Sequence, residues 1–251
     1  MNKVRGEKMI RRVTSKWAKT IALQRNKHVS RFLPATAKMT GGSLMRMLNL
    51  YGMVYVKPVH GSYGKGVMRV GKDKKGYRYQ AGRKVVQYAA YDALYRALRK
   101  ETGKKAYLVQ RGIHLLKHKG NRFDLRVMTQ YSPQKRWETT GIIGRAAAKG
   151  KIVTNYHNGG SVHSAEALLK PHIKDVDAKL KALAGLGVQT GRSLRKSFPG
   201  ISEIGLDIAM DKTLKPWILE VNTSPDPYIF LKHANRAVFR KIRRYQKSYG
   251  R

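Results

Sequence analysis

The stretch GLDIAMDKTLKPWILEVN, residues 205–222, places two apolar runs on either side of a short polar turn. Two strand-like runs separated in this way are typical of an antiparallel hairpin. With the turn near residues 213–214, Asp207 faces Glu220, because positions at equal distance from a turn lie opposite each other. Asn222 is two residues from Glu220 and points to the same side of its strand. The pattern predicts a hairpin that brings two carboxylates and an amide together.

These carboxylates need a compensating cation, because two like charges directly opposite each other destabilise a strand pair. A divalent metal ion is one solution, and an all-oxygen set of Asp207, Glu220 and Asn222 suits Mg²⁺. Ion pairs with the Lys and Arg side chains that the chain has in excess are the alternative. The residues that flank both carboxylates are apolar, and buried ion pairs are costly. We therefore favour the metal site, with the ion-paired arrangement left open.

A second candidate hairpin, YVKPVHGSYGKGVMRV (residues 55–70), joins two apolar runs through a loop with three glycines. Glycine-rich loops allow backbone amides to close around phosphate groups. This loop lacks the GxxxxGK[ST] pattern, and a strand rather than the helix of a dinucleotide fingerprint follows it. It also differs from a protein-kinase loop, because Lys57 precedes the glycines and no HRD or DFG motif follows. The chain has no GxSxG or HExxH motif either.

The composition narrows the classes of partner. The 251 residues include 53 Lys and Arg but only 14 Asp and Glu, a formal net charge of +39. Such a charge favours a polyanionic partner, with nucleic acid as the default, and a generally basic solvated surface is the alternative. The absence of cysteine excludes disulfides, thiolate metal sites and a cysteine nucleophile, and it fits a reducing interior. With no apolar stretch near twenty residues and no apolar leader, we expect neither a membrane span nor secretion.

The spacing of apolar residues predicts the remaining elements. Short capped helices are expected at residues 14–26 and 40–52, and a longer helix at 82–103. Residues 164–187 read as a helix broken at Pro171, and residues 233–250 as a basic amphipathic helix. Further strands are expected in KAYLVQRGI, RFDLRVMTQYS and RWETTGIIGRAA and near residue 152. The fold class predicted is α+β with mostly antiparallel strands.

Four motifs, taken in order, resemble the ATP-grasp superfamily: VYVKPVHGSYGKGV, FDLRV, TNYHNGG and GLDIAMD…WILEVNTSPDP. The segments FLPAT and YVKPVHGSYGKGV are further similar to the endospore coat-associated YheC/YheD family. The resemblance covers about residues 14–232. It implies an ATP-grasp fold, in which two α+β subdomains with mostly antiparallel sheets clasp a nucleotide.

The resemblance also implies a domain organisation. We expect a single ATP-grasp domain over residues 1–251. A lid-bearing subdomain would cover about residues 53–112, and about residues 14–52 and 113–232 would form the rest of the core. A basic helix would occupy residues 233–251. The N-terminal domain that usually precedes this fold is expected to be absent, so either the acceptor is bound differently or a partner chain supplies the missing wall of the substrate site.

By resemblance, Lys57 contacts the nucleotide phosphates, the segment 61–66 forms a lid over them, and Lys16 is a second phosphate contact. The segment 110–113 resembles the hinge whose backbone holds adenine, although the family more often has an acidic residue near Gln110. The implied nucleotide-binding residues are Lys16, Lys57, Gly61, Ser62, Tyr63, Gly64, Lys65, Gly66, Gln110, Arg111, Gly112, Ile113 and Asn155.

The implied cofactors are ATP and Mg²⁺, with two ions in the site. Asp207, Glu220 and Asn222 match the family's metal ligands, in agreement with the hairpin argument. Arg126 and Arg145 resemble the catalytic arginines that steady the transferred phosphate or the acyl substrate. Taken alone, Arg126 would pair with Asp124.

The implied function is an ATP- and Mg²⁺-dependent ligase, in which a substrate carboxylate becomes an acylphosphate and is then joined to an amine or similar nucleophile. The high positive charge points to an acidic substrate, whether a small molecule, a peptide or a polymer. The alternative is a non-catalytic, spore-associated protein that binds a polyanion or nucleic acid through its basic surface. We favour the ligase, because a binding module gains nothing from two carboxylates that face anions. The expected location is cytoplasmic or spore-associated.

Overall fold

The structure, a computed structural model, describes residues 12–154 and 159–251, which contain two sheets of antiparallel strands. Each sheet has one face covered by helices, because apolar side chains alternate with polar ones along its strands. The polar side chains of the two sheets meet in a cleft, and this cleft contains the candidate site.

The first sheet has the strand order β1-β6-β2-β3-β4-β5. Two helices pack on one face of it, where Val54 and Val56 are fully buried among their leucines. Tyr55 and Lys57 alternate with these valines and therefore point to the cleft. The elements are β1 (Thr36–Lys38), α3 (Gly41–Tyr51), β2 (Met53–Pro58), β3 (Met68–Asp73), β4 (Gly76–Ala81), β5 (Lys84–Tyr88), α4 (Tyr91–Thr102) and β6 (Tyr107–Arg111).

The second sheet has the strand order β10-β9-β8-β11-β12, with β7 paired to β8. Along β8, Phe123 and Leu125 are buried among the helices, while Asp124 and Arg126 alternate with them and point to the opposite face. Its strands are β7 (Lys117–His118), β8 (Asn121–Tyr131), β9 (Trp137–Ala146), β10 (Ser161–His163), β11 (Glu203–Met210) and β12 (Pro216–Asn222). The helices on its apolar face are α1 (Lys16–Gln24), α2 (Lys27–Ser30), α5 (Ala165–Leu169) and α6 (Val176–Ser197).

A last helix, α7 (Arg236–Ser248), closes the other face of the second sheet after a 3-10 helix at Tyr228–Lys232. It is held by a buried carboxylate, Glu203, which accepts hydrogen bonds from Gln246 Nε2 (3.0 Å) and the Tyr249 hydroxyl (2.7 Å). The Arg251 guanidinium also pairs with Glu203. Polar contacts thus fix a helix whose exposed face is strongly basic.

Two of the predicted elements are wrong. Residues 82–103 do not form one helix, because residues 84–88 pair with β4 as strand β5 and only Tyr91–Thr102 is helical. The segment near residue 152 is not a strand; Ile152 is buried in an irregular segment. The other predicted helices are present, including the break at Pro171 between α5 and α6. None of the helices in 12–154 and 159–251 is both long enough and apolar enough to cross a bilayer.

The first sheet begins earlier in the chain than the predicted lid-bearing subdomain. The predicted division assigns residues 14–52 to the rest of the core, but β1 pairs with β6 and α3 packs against β2 and β6. The physical reason is that β6 has a free edge on which Thr36–Lys38 can pair. The division of the chain into subdomains otherwise stays a prediction.

Two glycines on α6 differ in what surrounds them. Gly191 lies against the indole of Trp137, and a Cβ at this position would come within 2.5 Å of a ring carbon. Gly185 is exposed, and a Cβ there would meet nothing within 4 Å. Gly191 therefore allows the helix to approach the sheet closely, whereas Gly185 has no packing role.

This difference predicts opposite effects of the same substitution. Gly191→Ala should lower the free energy of unfolding, because overpacking costs about 1–3 kcal/mol and exceeds the gain in helix propensity. Gly185→Ala should raise it by up to about 1 kcal/mol, because only helix propensity changes. Urea denaturation of both variants tests this, and a stabilised Gly191→Ala variant would contradict the packing described here.

Candidate active site

The hairpin of residues 205–222 places its two carboxylates side by side. β11 and β12 pair in the register that puts Asp207 opposite Glu220, with Gly205 opposite Asn222. The register shifts directly after Asp207, so that Ile208 pairs with Ile218 and Leu219 is the extra residue of a bulge. Both carboxylates line the same cavity.

Asp207 lies in a buried network of charges. Its Oδ1 accepts hydrogen bonds from Arg126 Nε (2.7 Å) and lies 3.0 Å from Arg145 Nη2. Arg145 also binds Asp124 through two hydrogen bonds, of 2.8 and 2.6 Å, and the Thr154 hydroxyl donates to the same carboxylate. Arg126 therefore pairs with Asp207 across the sheet rather than with Asp124 two residues before it.

The network controls the ionisation of its members. Burial alone would raise the pKa of Asp207, but Arg126 and Arg145 outweigh it and hold that pKa at about 2. Burial lowers the pKa of Arg145, yet Asp124 and Asp207 reverse the effect and raise it. Asp207 and Arg145 are thus charged near neutral pH, and the network places two carboxylates beside two guanidinium groups.

Glu220 pairs with a different cation. Its Oε1 lies 3.0 Å from Lys16 Nζ, and the same ammonium donates a 2.7 Å hydrogen bond to the carbonyl of Gly61. Lys16 is the first residue of α1, which Ser15 caps by accepting the N–H of Ala18 at 3.1 Å. The cap sets where α1 begins and hence directs Lys16 at the junction of the glycine loop and β12.

The ion-paired arrangement left open by the sequence is therefore present, but it leaves room for a cation. Asp207 Oδ2 and Glu220 Oε2 receive no hydrogen bond from the described residues. Asn222 does not line the cavity that these carboxylates share. Nor do any three His, Asp or Glu side chains in the described ranges lie close enough together to hold a metal ion. The two carboxylates fit a hard cation through one free oxygen each, and Asn222 as third ligand stays a prediction.

The cavity between the carboxylates and the glycine loop is here called the loop cavity. Tyr55 and Val67 contribute apolar and aromatic surface to it, and Ile113 closes one end. Lys57 lines it and donates to Gln110 Oε1 (2.6 Å) and to the carbonyl of Leu219 (3.4 Å). Burial lowers the pKa of Lys57 to about 8, although Glu220 opposes the shift.

The predicted hinge contains one unused donor. The backbone N–H of Arg111 donates to Ala35 and that of Gly112 to Met53. The N–H of Ile113 has no acceptor among the described residues, and Ile113 is only 6% exposed. At Gly112 a Cβ would overlap the Met53 side chain, so the hinge lies directly on β2. The Arg111 guanidinium adds a contact with the Trp217 ring, 5.1 Å from its centroid.

The glycine loop is mostly exposed. Of residues 61–66, only Gly64 lines the loop cavity, while Ser62, Tyr63 and Lys65 are exposed. Gly66 has a φ of +73°, and a Cβ there would come within 2.7 Å of the Tyr107 hydroxyl. A side chain at Gly66 would thus meet both backbone strain and a clash. Asn155, the remaining nucleotide prediction, lies outside the described residues.

A second cavity, here called the helix cavity, shares Lys57 and Gln110 with the loop cavity. It is bounded by α1, β6, β12 and the segment 33–36. Lys19, one turn after Lys16, lines this cavity and is only 6% exposed. Burial, with a smaller effect of Lys16, lowers the pKa of Lys19 to about 8 despite the opposing effect of Glu220.

Sequence reasoning missed three residues of the cleft. Tyr55 precedes Lys57 by two residues, so the period of a strand would have placed both on one face. Lys19 follows Lys16 by three residues, which places both on one side of a helix. Asp124 was considered only as a partner of Arg126, because nothing local shows that β9 supplies the competing Arg145.

The sequence profile described as YheC/D like ATP-grasp matches residues 9–251. The chain belongs to this family. It is 25% identical over 228 residues to the endospore coat-associated protein YheD of Bacillus subtilis (strain 168), a match that covers 88% of this chain and 50% of YheD. Its identity to YheC of the same organism is 21% over 220 residues, covering 86% of this chain and 61% of YheC. The chain thus spans about half the length of YheD.

The structure confirms the α+β class and the ATP-grasp fold. D-cycloserine synthetase DcsG superimposes with a TM-score of 0.58 at 11% identity, covering 94% of this chain and 70% of that one. Identity at this level shows a shared fold and nothing about the substrate.

The buried ammonium of Lys19 predicts a pH-dependent instability. A pKa of about 8 against a usual value of 10.5 means that the folded state holds an unfavourable proton below pH 8. This loss of stability should disappear as the pH rises from about 8 to 10.5, because in that range the folded state binds fewer protons than the unfolded state. Lys19→Met should therefore be more stable than wild type at pH 7 by on the order of 2 kcal/mol.

Chemical denaturation at pH 7, 9 and above 10.5 measures this difference, which should shrink as the pH rises. Lys181→Met on α6 is the matched control, because Lys181 is exposed. A wild type more stable than Lys19→Met at pH 7 would contradict the burial of this charge.

Proposed function

We propose that the chain is an ATP- and Mg²⁺-dependent ligase that activates a substrate carboxylate and joins it to an amine or a similar nucleophile. The observation that carries the proposal is the loop cavity, in which Lys57, two facing carboxylates and the unused N–H of Ile113 share one enclosure. Membership of an ATP-grasp family, and a fold shared with a named synthetase, support an ATP-dependent ligase at the level of the family.

The proposed nucleotide site uses the two ends of the loop cavity. The free N–H of Ile113 is a donor for a ring nitrogen of adenine, and Tyr55 and Val67 offer surface to its faces. Lys57 and Lys16, at the other end, are the proposed phosphate contacts, and their charge attracts a polyphosphate. The glycine loop would then close over the phosphates and limit the access of water.

Asp207 and Glu220 would hold Mg²⁺ through their free oxygens, with Asn222 as a further proposed ligand. Oxygen ligands and few protein carboxylates suit this ion, which keeps waters and substrate phosphates in its coordination shell. When bound, it neutralises charge on the phosphates. Arg126 and Arg145 hold Asp207 ionised, so the site is ready to accept a cation without loss of a proton.

The proposed reaction has two steps, formation of an acylphosphate and its capture by the nucleophile. A carboxylate oxygen of the substrate forms a bond to the γ-phosphorus as the bond to the β–γ bridging oxygen breaks, which gives an acylphosphate and ADP. The nucleophile then attacks the acyl carbon, inorganic phosphate leaves, and the nucleophile gives up one proton. Two anions approach each other in the first step, so the nearby lysine and arginine charges lower its barrier.

The substrate is proposed to be acidic, because the net charge of +39 attracts anions over the whole surface. The two curated relatives carry names that associate them with the endospore coat. We extend that association to this chain. A partner chain that completes the substrate side of the cleft is part of the same proposal.

Nucleotide binding is the most direct test. A non-hydrolysable ATP analogue with Mg²⁺, at about 100 times its Kd, should stabilise the wild type by about 2.7 kcal/mol. Lys57→Met should lose this stabilisation, whereas Lys84→Met, an exposed lysine of β5, should keep it. Glu220→Gln should bind the analogue but lose the part that depends on Mg²⁺.

Equal stabilisation with Mg²⁺ and with a chelator in the wild type would remove the metal from the proposal. If the analogue stabilised Lys57→Met and Lys84→Met equally, it would bind the basic surface instead of the loop cavity. Release of ADP, screened across acids and amines and followed by mass analysis of the products, would then identify the substrates.

A second candidate function is polyanion binding, favoured by one feature of α7. Its exposed basic residues recur at intervals of four, four and three, so they form a single stripe along the helix. They are Arg236, Arg240, Arg244 and Lys247. Exposed Tyr228 and Leu231 lie next to this helix, in the 3-10 helix that precedes it.

If α7 binds duplex DNA, affinity should fall linearly with salt on logarithmic axes. Removing two charges with Arg240→Gln and Arg244→Gln should reduce the slope by about 1.8. The matched double variant Arg96→Gln with Arg99→Gln removes two exposed charges from α4 and should leave the slope unchanged. The same slope for wild type and the α7 variant would exclude this helix as the binding surface.

A further inference from the structure

The helix cavity has a cationic end and an apolar body, and the proposed nucleotide chemistry uses neither Lys19 nor the apolar body. Lys16, Lys19 and Lys57 line its charged end against the single carboxylate of Glu220. Three ammonium groups therefore face one carboxylate, and positive charge is in excess. The apolar body is formed by Leu23, Leu33, Leu108, Ile218 and Val221.

Lys19 is the unusual group in this cavity. The residue is only 6% exposed, and its side-chain ammonium forms no hydrogen bond or ion pair with any residue in 12–154 or 159–251. Lys16 and Lys57, in contrast, have oxygen partners at 3.0 Å and 2.6 Å. A buried charge is normally paired, because removing it from water without compensation is costly. An anion in the helix cavity would supply the missing partner.

The lining of the cavity also limits what kind of anion fits. Inorganic phosphate could pair with Lys19 but would leave the leucine and isoleucine surface without contact. An anion that carries an apolar tail can pair with Lys19 and also cover the apolar lining. Each methylene of the tail that is removed from water raises the affinity about fourfold. One buried lysine without a partner calls for one negative charge rather than several.

We propose that the helix cavity is a second binding site, which takes a monocarboxylate with an apolar tail. The carboxylate pairs with Lys19, and the tail lies against Leu23, Leu33 and Leu108. Lys19 does not line the loop cavity, but Lys57 and Glu220 line both cavities, so this site adjoins the proposed nucleotide site. The inference does not rest on the ligase function, because binding is tested without nucleotide.

Octanoate is the probe, and calorimetry at physiological ionic strength measures its affinity for the whole chain. Octanoate should bind with a stoichiometry of one to one, and hexanoate should bind about fifteenfold more weakly, since it lacks two methylenes. Inorganic phosphate and octanol are the comparison ligands, and each should bind at least tenfold more weakly than octanoate. Equal binding of phosphate and octanoate would overturn the requirement for an apolar tail.

Lys19→Met should lower the affinity for octanoate at least tenfold while it leaves the affinity for octanol unchanged. Lys181→Met, which removes an exposed charge, should bind octanoate as the wild type does. Carbon-13 methyl spectra of the wild type locate the ligand, because the resonances of Leu23, Leu33 and Leu108 should shift on titration. The proposal would be overturned if Lys19→Met bound octanoate with the affinity of the wild type. It would also be overturned if octanoate bound to several sites, or if only the resonances of other leucines shifted.

Discussion

One oxygen of Asp207 contacts the guanidinium groups of both Arg126 and Arg145. The arrangement of the strands that line the cleft depends on this contact. It joins three neighbouring strands, since Arg126 belongs to β8, Arg145 to β9 and Asp207 to β11. Removing one member of such a buried set leaves an uncompensated charge, which costs about 3–5 kcal/mol. The strands are thereby held in the register that places Asp207 in the lining of the loop cavity. The same contact that stabilises the sheet also keeps the carboxylate ionised for a ligand.

Much of the fold could be predicted, because its hairpins are local. Counting from a turn was enough to pair Asp207 with Glu220, and the glycine loop was enough to predict the hairpin that contains Lys57. The same reasoning failed at β5, where apolar residues at helical spacing run into α4. There Val86 pairs with Tyr79 of β4, so contact with a neighbouring strand overrode the local pattern.

The partners of the charged side chains could not be predicted in the same way. Arg126 lies two residues from Asp124 but 81 residues from Asp207, and only the pairing of β8 with β11 decides between them. Lys19 illustrates a second limit. Helical spacing places it near Lys16, but its burial depends on how α1 packs against β12. The sequence therefore indicates which charges surround the cleft, and the tertiary structure decides which of them are neutralised.

Lys16 couples the glycine loop to β12. One ammonium group holds the carbonyl of Gly61 and the carboxylate of Glu220 together. An ammonium has three N–H donors, so these two contacts leave one donor for a further acceptor. Because the same group contacts both hairpins, any shift of Lys16 changes the surroundings of the loop and of the carboxylate together.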